Sequence, residues 1–444
     1  MKELPTKSPL RGSETGGRGS SSRERAGSPL DQITYQDLYA RWEKGNWSAT
    51  EIDFSEDKDQ WNNTFSDIQR NAALWNYSLF FHGEDSVADN LSPYIDAAPK
   101  EEQKYFLATQ QVDEARHAVF FKRFMHEVVG AGTGDVGSAL EATRPELTWG
   151  FRKTFEKLDK VADELRRDRS RPKFAQAITM YHLVVEAALA QPGQHFIESY
   201  LTERNLLPGF AAGMKNVSLD EQRHIGFGVK VLSELIREDP ECKDAVAELL
   251  GEVMVYTIGV LQPPNWDRRY TECFGFTIEE IYAEGFQSFE TKMRTAGIPL
   301  EDISYVLPIP LELDQKARAE RAIKLLEAGY AGEKNGPPAR DHESMELLFD
   351  SIKRSARTDL APGEMTVQWD FSDAEPWYVR IDNGSTSAEP GRHASPDVTL
   401  RCRFDDWVDV VAAREDPRKQ MLKAKIRPRG SLRSLYRMSK VFPR

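Results

Sequence analysis

"VDEARHAVFF" occupies Val112–Phe121, and "LDEQRHIGFG" occupies Leu219–Gly228. Both write Asp-Glu-x-Arg-His inside an apolar pattern of helical period. Residues three apart share one face of a helix, so Glu114 pairs with His117 and Glu221 with His224. Charges set among apolar helix positions are costly unless they are ion-paired or bound to metal. A Glu-x-x-His pair on each of two helices, plus one Glu from each of two others, builds a dinuclear carboxylate site in a four-helix bundle. The two further glutamates stand in the required order. Glu84 in "LFFHGEDSVADNL" precedes the first pair, and Glu186 in "MYHLVVEAALAQ" precedes the second. The expected metal ligands are therefore Glu84, Glu114, His117, Glu186, Glu221 and His224. Asp113 and Asp220, each one residue before a paired Glu, are placed to accept the second N–H of a metal-bound imidazole. His82, His126, His182 and His195 have no counterpart in the repeat and read as structural.

The ligand chemistry narrows the metal. Six oxygen and nitrogen ligands with no thiolate suit iron or manganese better than zinc or copper. Four carboxylates neutralise two divalent ions, so the expected cofactor is iron with manganese or two irons, with dioxygen as co-substrate. Cys242, Cys273 and Cys402 form no close pair, which fits a reducing compartment and a cytoplasmic location.

The chain has 444 residues, too many for one core. Residues 1–33 are rich in Gly, Ser and Arg and read as a disordered tail. From 34 to 328 apolar residues recur at three- and four-residue spacing. This predicts helices near 66–96, 100–129, 144–166, 172–203, 209–238, 241–262, 276–297 and 312–328. Pro192 falls inside one of them and predicts a kink. Residues 329–340 read as a linker. In 341–444 the pattern changes. "MTVQWDF", "WYVRI" and "DVTLRCRF" alternate as strands, while "DDWVDVVAARED" and "RGSLRSLYRMSKVF" read as helices. The basic run from Lys419 to Arg437 reads as a solvated charged face. The fold class is mostly α: a four-helix-bundle core with extra helices, then a small α+β domain. A net charge of -12 argues against general nucleic-acid binding. No apolar run is long enough for stable membrane insertion, and no signal-peptide core points to export.

"RWEKGNWSATEIDFSEDKDQW", "GEDSV", "MYHLVVEAALA", "LPGF" and "DEQRHIGFG" resemble the ribonucleotide reductase small-subunit superfamily. Within it, they resemble the ligand-binding oxidases that assemble a manganese/iron or di-iron centre. The resemblance implies a ferritin-like fold, a homodimer and a fatty-acid-like or other hydrophobic ligand. It also implies that Val87 and Tyr181 become covalently joined, and that Gln194 borders the ligand tunnel where relatives often carry Tyr. Phe121, also placed near the tunnel, stands where reductase subunits usually keep a radical tyrosine. The stretch from "DVTLRCRF" to "SLYRMSKVF" resembles a sterol-carrier-protein domain, which implies lipid binding. Together these lead us to expect a two-electron oxidase acting on a lipid-like substrate, presented by the C-terminal domain. Two other readings stay open: a radical-generating reductase subunit, and a non-enzymatic metal- and lipid-binding protein.

Overall fold

Side-chain caps and a few prolines decide where the helices begin. The computed structural model describes residues 32–307, 309–360 and 363–442. The expected tail 1–33 lies outside the described residues except for its last two. Thr34 caps α1 (Tyr35–Lys44) in a reciprocal box with Asp37, and Ser66 caps α2 (Asp67–Asn90) in the same way with Gln69. α3 (Glu101–Phe124) follows. α4 (Trp149–Arg167) starts at the Thr148 cap, and residues 144–146, expected in that helix, form a separate short turn around Pro145. α5 (Arg171–Ile178) runs without a break into wide π turns over Thr179–Ala190 and then into α6 (Gln191–Arg204). α7 (Pro208–Glu238), α8 (Glu241–Thr257), α9 (Ile278–Ala296) and α10 (Gln315–Glu327) are the remaining long helices of this part, joined by shorter ones such as Ser55–Asn63, Ser92–Ala97 and Val136–Thr143.

The helix expected over 172–203 thus changes winding rather than simply bending. Pro192 has no N–H to give to the preceding turn. The wide turns end just before it, and it sits in the first turn of α6. α9 packs directly against this stretch. A Cβ at Gly285 would lie 2.9 Å from the carbonyl oxygen of Ala188, so a side chain there would push α9 away.

α2, α3, the π segment and α7 pack side by side and enclose the main apolar core. The heptad-like pattern of α4 buries Phe151, Phe155, Leu158, Ala162 and Leu165 along one stripe, which packs on α5 and α8. No helix among the described residues is long and apolar enough to cross a membrane.

The C-terminal part opens with α11 (His342–Arg354), which the sequence pattern did not single out. Five strands follow: β1 (Met365–Phe371), β2 (Trp377–Asp382), β3 (Ser385–Pro390), β4 (Val398–Cys402) and β5 (Ile426–Gly430). Their order is β3-β2-β1-β4-β5, antiparallel except for the parallel β1–β4 pair. β1 and β4 lie within two of the stretches that alternate in sequence, and β2 covers the third and one residue more. β3 ("STSAEP") and β5 ("IRPRG") have no apolar alternation, since both are edge strands with little to bury. α12 (Phe404–Val411), a short helix over Pro417–Leu422 and α13 (Leu432–Val441) pack with the sheet. Phe349 of α11 stacks on Trp377 and Trp407 at 4.9 and 5.4 Å and sits at the centre of a separate aromatic core.

Residues 329–340 are fastened at several points. The Tyr330 hydroxyl donates to the Ala339 carbonyl. Arg414 donates to the carbonyls of Gly329, Ala331 and Gly332, and Lys334 pairs with Asp409 at 2.5 Å.

Candidate metal centre

The four adjacent helical segments bring the six candidate ligands to one point. Glu84 comes from α2, Glu114 and His117 from α3, Glu186 from the π segment, and Glu221 and His224 from α7. All six are buried. His117 Nδ1 lies 3.2 Å from Glu84, 3.4 Å from Glu114 and 3.6 Å from Glu221. His224 Nδ1 lies 3.1 Å from Glu114, 3.4 Å from Glu186 and 3.9 Å from Glu221. Two groups of four result, each with its ligand atoms within 4.8 Å of one another: Glu84, Glu114, His117 and Glu221, and Glu114, Glu186, Glu221 and His224. Glu114 and Glu221 belong to both groups, so they are placed to bridge two ions.

A second layer holds the imidazoles, and it crosses between the two repeats. His117 Nε2 meets Asp220 at 3.1 Å, and His224 Nε2 meets Asp113 at 3.1 Å. Each aspartate therefore serves the histidine of the other helix. Arg116 donates to Asp113 and, at 3.2 Å, to Asp220. Arg223 mirrors it, donating to Asp220 and, at 3.2 Å, to Asp113. The Nε1 of Trp42 donates to Asp113 at 2.9 Å, and that of Trp47 to Asp220 at 2.8 Å. Trp47 also stacks on His117, with ring centroids 6.2 Å apart. Neither tryptophan belongs to the repeat. Their signal was the pair of indoles in "RWEKGNW", whose N–H groups need acceptors when buried.

The electrostatics of this cluster without a cation are poor. Burial raises the Glu84 carboxyl to about 8 and that of Glu186 to about 7. Burial, then the neighbouring glutamates, pushes Glu221 well above the carboxylate range. At Glu114 burial also opposes ionisation, but the imidazoles of His224 and His117 outweigh it and hold the group well below that range. Burial disfavours charge on His117 and His224, yet their carboxylate neighbours raise both well above the usual imidazole value. Glu186 Oε2, Glu221 Oε2 and His224 Nδ1 have no hydrogen-bond partner. When each Nε2–H donates to an aspartate, the Nδ1 lone pair faces carboxylate oxygens, an arrangement that needs a cation between them. Divalent ions fit this donor set.

Gly228 of α7 lets the π segment come close, because a Cβ there would lie 2.3 Å from that of His182. The i→i+5 bonding of the wide turns also brings residues five apart onto one face. Tyr181 and Glu186 thereby face the same site, which a straight α-helix would not achieve. The Tyr181 hydroxyl donates to Glu114 Oε1, and Gln110 Nε2 donates to Tyr181 at 2.9 Å and to Glu186 at 3.1 Å. His182 Nε2 meets Gln110 Oε1 at 3.2 Å, so this histidine braces the network that touches the ligands. Gln110 and His182 carried no repeat signal.

A small apolar cavity opens on the cluster. Val87 and Tyr181 both line it, with Phe80, Phe151, Phe155 and Val185. Neither Phe121 nor Gln194, the two residues expected beside the tunnel, lines this cavity itself. Phe121 lies one layer behind, stacked on Phe80 at 5.9 Å. Gln194, with its Nε2 unpartnered, lines a different, polar cleft beside Glu221, Ser218 and Lys292. Successive residues of the α6 helix are turned about 100° from one another, and Gly193 lines the apolar cavity while Gln194 lines the polar one.

Residues 28–258 match the family described as ribonucleotide reductase, small chain, and residues 345–443 match the SCP-2 sterol transfer family. Among solved structures, one point variant of an R2-like ligand-binding oxidase with an anaerobically reconstituted Mn/Fe cofactor is 22% identical. The match covers 60% of this chain and 93% of that one, with a TM-score of 0.51. A second such variant is 21% identical over 61% of this chain and 98% of that one, with a TM-score of 0.50. The R2-like ligand-binding oxidase from Sulfolobus acidocaldarius is 26% identical over 62% and 95%, with a TM-score of 0.49. The first two likenesses establish a shared fold, the ferritin-like bundle.

Proposed function

Because this chain belongs to the ribonucleotide reductase small-chain family and carries an SCP-2-type C-terminal domain, we propose that it is an oxidase with two metal ions. Its substrate is a hydrophobic, lipid-like molecule. The observation that carries this reading is the pair of four-ligand groups sharing Glu114 and Glu221 at the floor of an apolar cavity. The metals are manganese with iron, as in the solved oxidases of the same fold, or two irons. When bound, they supply dioxygen activation and two-electron oxidation.

The protein's own groups do the rest. Asp113 and Asp220 fix the imidazoles with Nδ1 toward the metals, and the arginines and tryptophans hold the aspartates. Phe80, Phe151, Phe155 and Val185 exclude water and favour an apolar substrate. Tyr181 is a phenol hydrogen-bonded to a proposed bridging ligand, and Val87 shares its cavity. We include the expected ether link between them in this reading. The Tyr181 O–H and one Val87 C–H break, an O–C bond forms, and the two electrons and two protons released reduce one dioxygen to hydrogen peroxide. The radical-subunit alternative is weaker here because Phe121 has no phenol. The C-terminal domain binds the lipid and presents it to the bundle. The enzyme works in the cytoplasm as a homodimer; all three cysteines are free, as a reducing compartment requires.

Elemental analysis of purified protein, oxygen uptake by the reduced metal-loaded form, and mass spectrometry of extracted ligands test the reading together. Two redox-active metals, oxygen consumption and a lipid-like ligand are expected. Redox-silent metal alone, or no oxygen uptake, rejects the oxidase. Intact-mass measurement before and after aerobic loading should show a protein lighter by two hydrogens, and Tyr181→Phe should keep its mass while retaining metal.

A further inference from the structure

Four large apolar side chains stand exposed in one short stretch of the C-terminal part. Leu422 and Leu432 are each 88% exposed, Tyr436 67% and Met421 42%. Met421 and Leu422 end a short helix just before β5, and Leu432 and Tyr436 belong to α13 just after it. The two apolar points therefore flank a single edge strand.

The same stretch is the most basic part of an acidic chain. From Pro417 to Phe442 the sequence has nine Lys and Arg and no Asp or Glu. Lys425 pairs with Asp406 at 2.7 Å. Among the described residues, Lys423, Arg429 and Arg433 have no carboxylate partner, whereas cations elsewhere in the fold are widely ion-paired. α13 buries only Val441 fully. Leu432, Leu435 and Tyr436 follow its i, i+3, i+4 spacing, with Arg433, Arg437 and Lys440 between and beyond them.

The edge strand itself does not invite strand pairing. Pro428 has no N–H to donate, and Arg427 and Arg429 are exposed beside it, the usual devices that block edge-to-edge association. A nucleic acid would engage the cations and leave Leu422 and Leu432 in water. A lipid surface engages both: aliphatic tips at the acyl boundary, a tyrosine at headgroup level and cations against phosphates.

We propose that the β5 edge, with the helix end before it and α13 after it, docks on the surface of an anionic phospholipid membrane. The basic run is then a docking face rather than the solvated one expected from sequence. Contact is peripheral and adds no membrane-spanning element. The proposal does not rest on the metal reading, and its failure leaves that reading standing.

The test is co-sedimentation of the full chain with vesicles of phosphatidylcholine alone and of phosphatidylcholine mixed with phosphatidylserine. Binding is expected to the mixed vesicles only, weakening as salt rises. Arg429→Glu with Arg433→Glu should lower the partition by roughly five-fold for each positive charge lost. Leu422→Ser with Leu432→Ser should lower it by about ten-fold or more, with the melting temperature unchanged, because both leucines are already solvent-facing. Absence of binding to the mixed vesicles at low salt overturns the proposal. So does a serine pair that binds as well as the unaltered protein, because the segment would then be a polycation attracted to any polyanion.

Discussion

The two cores of this molecule are built on opposite principles. The helical bundle buries four glutamates, two aspartates, two histidines and Arg223 at its centre, with Arg116 half-buried beside them. The C-terminal unit buries a cluster of aromatic rings around Phe349 and keeps its charges outside. A buried charge is tolerable only when every partner is present, so the bundle's stability is conditional on what occupies its centre. An aromatic core carries no such condition. One core thus carries its chemistry at its centre at some cost in stability, while the other keeps a centre of packed rings and leaves its charged groups at the surface.

The largest expected effect is at the shared ligands. Glu114→Ala or Glu221→Ala removes a donor from both metal groups, so metal content should fall from two ions per chain toward none. Glu84→Ala or Glu186→Ala touches one group and should leave up to one ion. Elemental analysis of the four variants distinguishes these outcomes, and full metal content in the first two would break the assignment. Next, Phe349→Ala should destabilise the C-terminal unit by about 3–5 kcal/mol, measured by denaturant unfolding, while metal content stays unchanged. A loss of metal would mean that the two cores are coupled.

The third effect is a pH dependence confined to the bundle. In the metal-free protein Glu84 and Glu186 have carboxyls raised to about 8 and about 7, and both ligand histidines are also raised. The folded state then binds more protons than the unfolded state between roughly pH 4.5 and 8. Stability should therefore fall as pH rises through that window, by about 1.4 kcal/mol per pH unit for each proton of difference. Metal replaces those protons, so the loaded protein should lose this slope. Calorimetry of both forms at pH 5 and pH 8 checks the sign. The smallest effect is at the second layer. Asp113→Asn should weaken metal affinity by about 10- to 100-fold. Since Asp113 holds His224, the weakened position should be the one beside Glu186, and a metal titration resolved by site would show it.

The bundle's candidate ligands were legible in the sequence because Glu-x-x-His occurs twice, with a lone glutamate before each pair, and Glu186 lies in a strongly apolar run where an uncompensated carboxylate is too costly to bury. The strands β1, β2 and β4 were legible because each buries one face. What stayed hidden had no periodic signature. Trp42, Trp47, Gln110 and His182 act through contacts between segments far apart in the chain. The π turns over Thr179–Ala190 keep an ordinary helical composition, and only the later Pro192 marks the place where the winding changes. β3 and β5 are edge strands that bury little, so alternation had no reason to appear. Gln194 is expected beside the tunnel by resemblance alone, and which of two clefts it lines is set by its turn of α6, which no sequence pattern displays.

The crossed pairing of Asp113 with His224 and of Asp220 with His117 also bears on inheritance. A duplicated helix that brought Asp, Glu and His together would still lack the acceptor for its own imidazole until a second copy packed against it. Neither copy can then drift alone. A substitution at an aspartate of one helix is felt at the histidine of the other, so tolerated changes at 113 and 224, or at 220 and 117, should arise in pairs. A deep mutational scan of this chain would find its strongest epistasis between residues more than a hundred positions apart in sequence, not between neighbours within either motif.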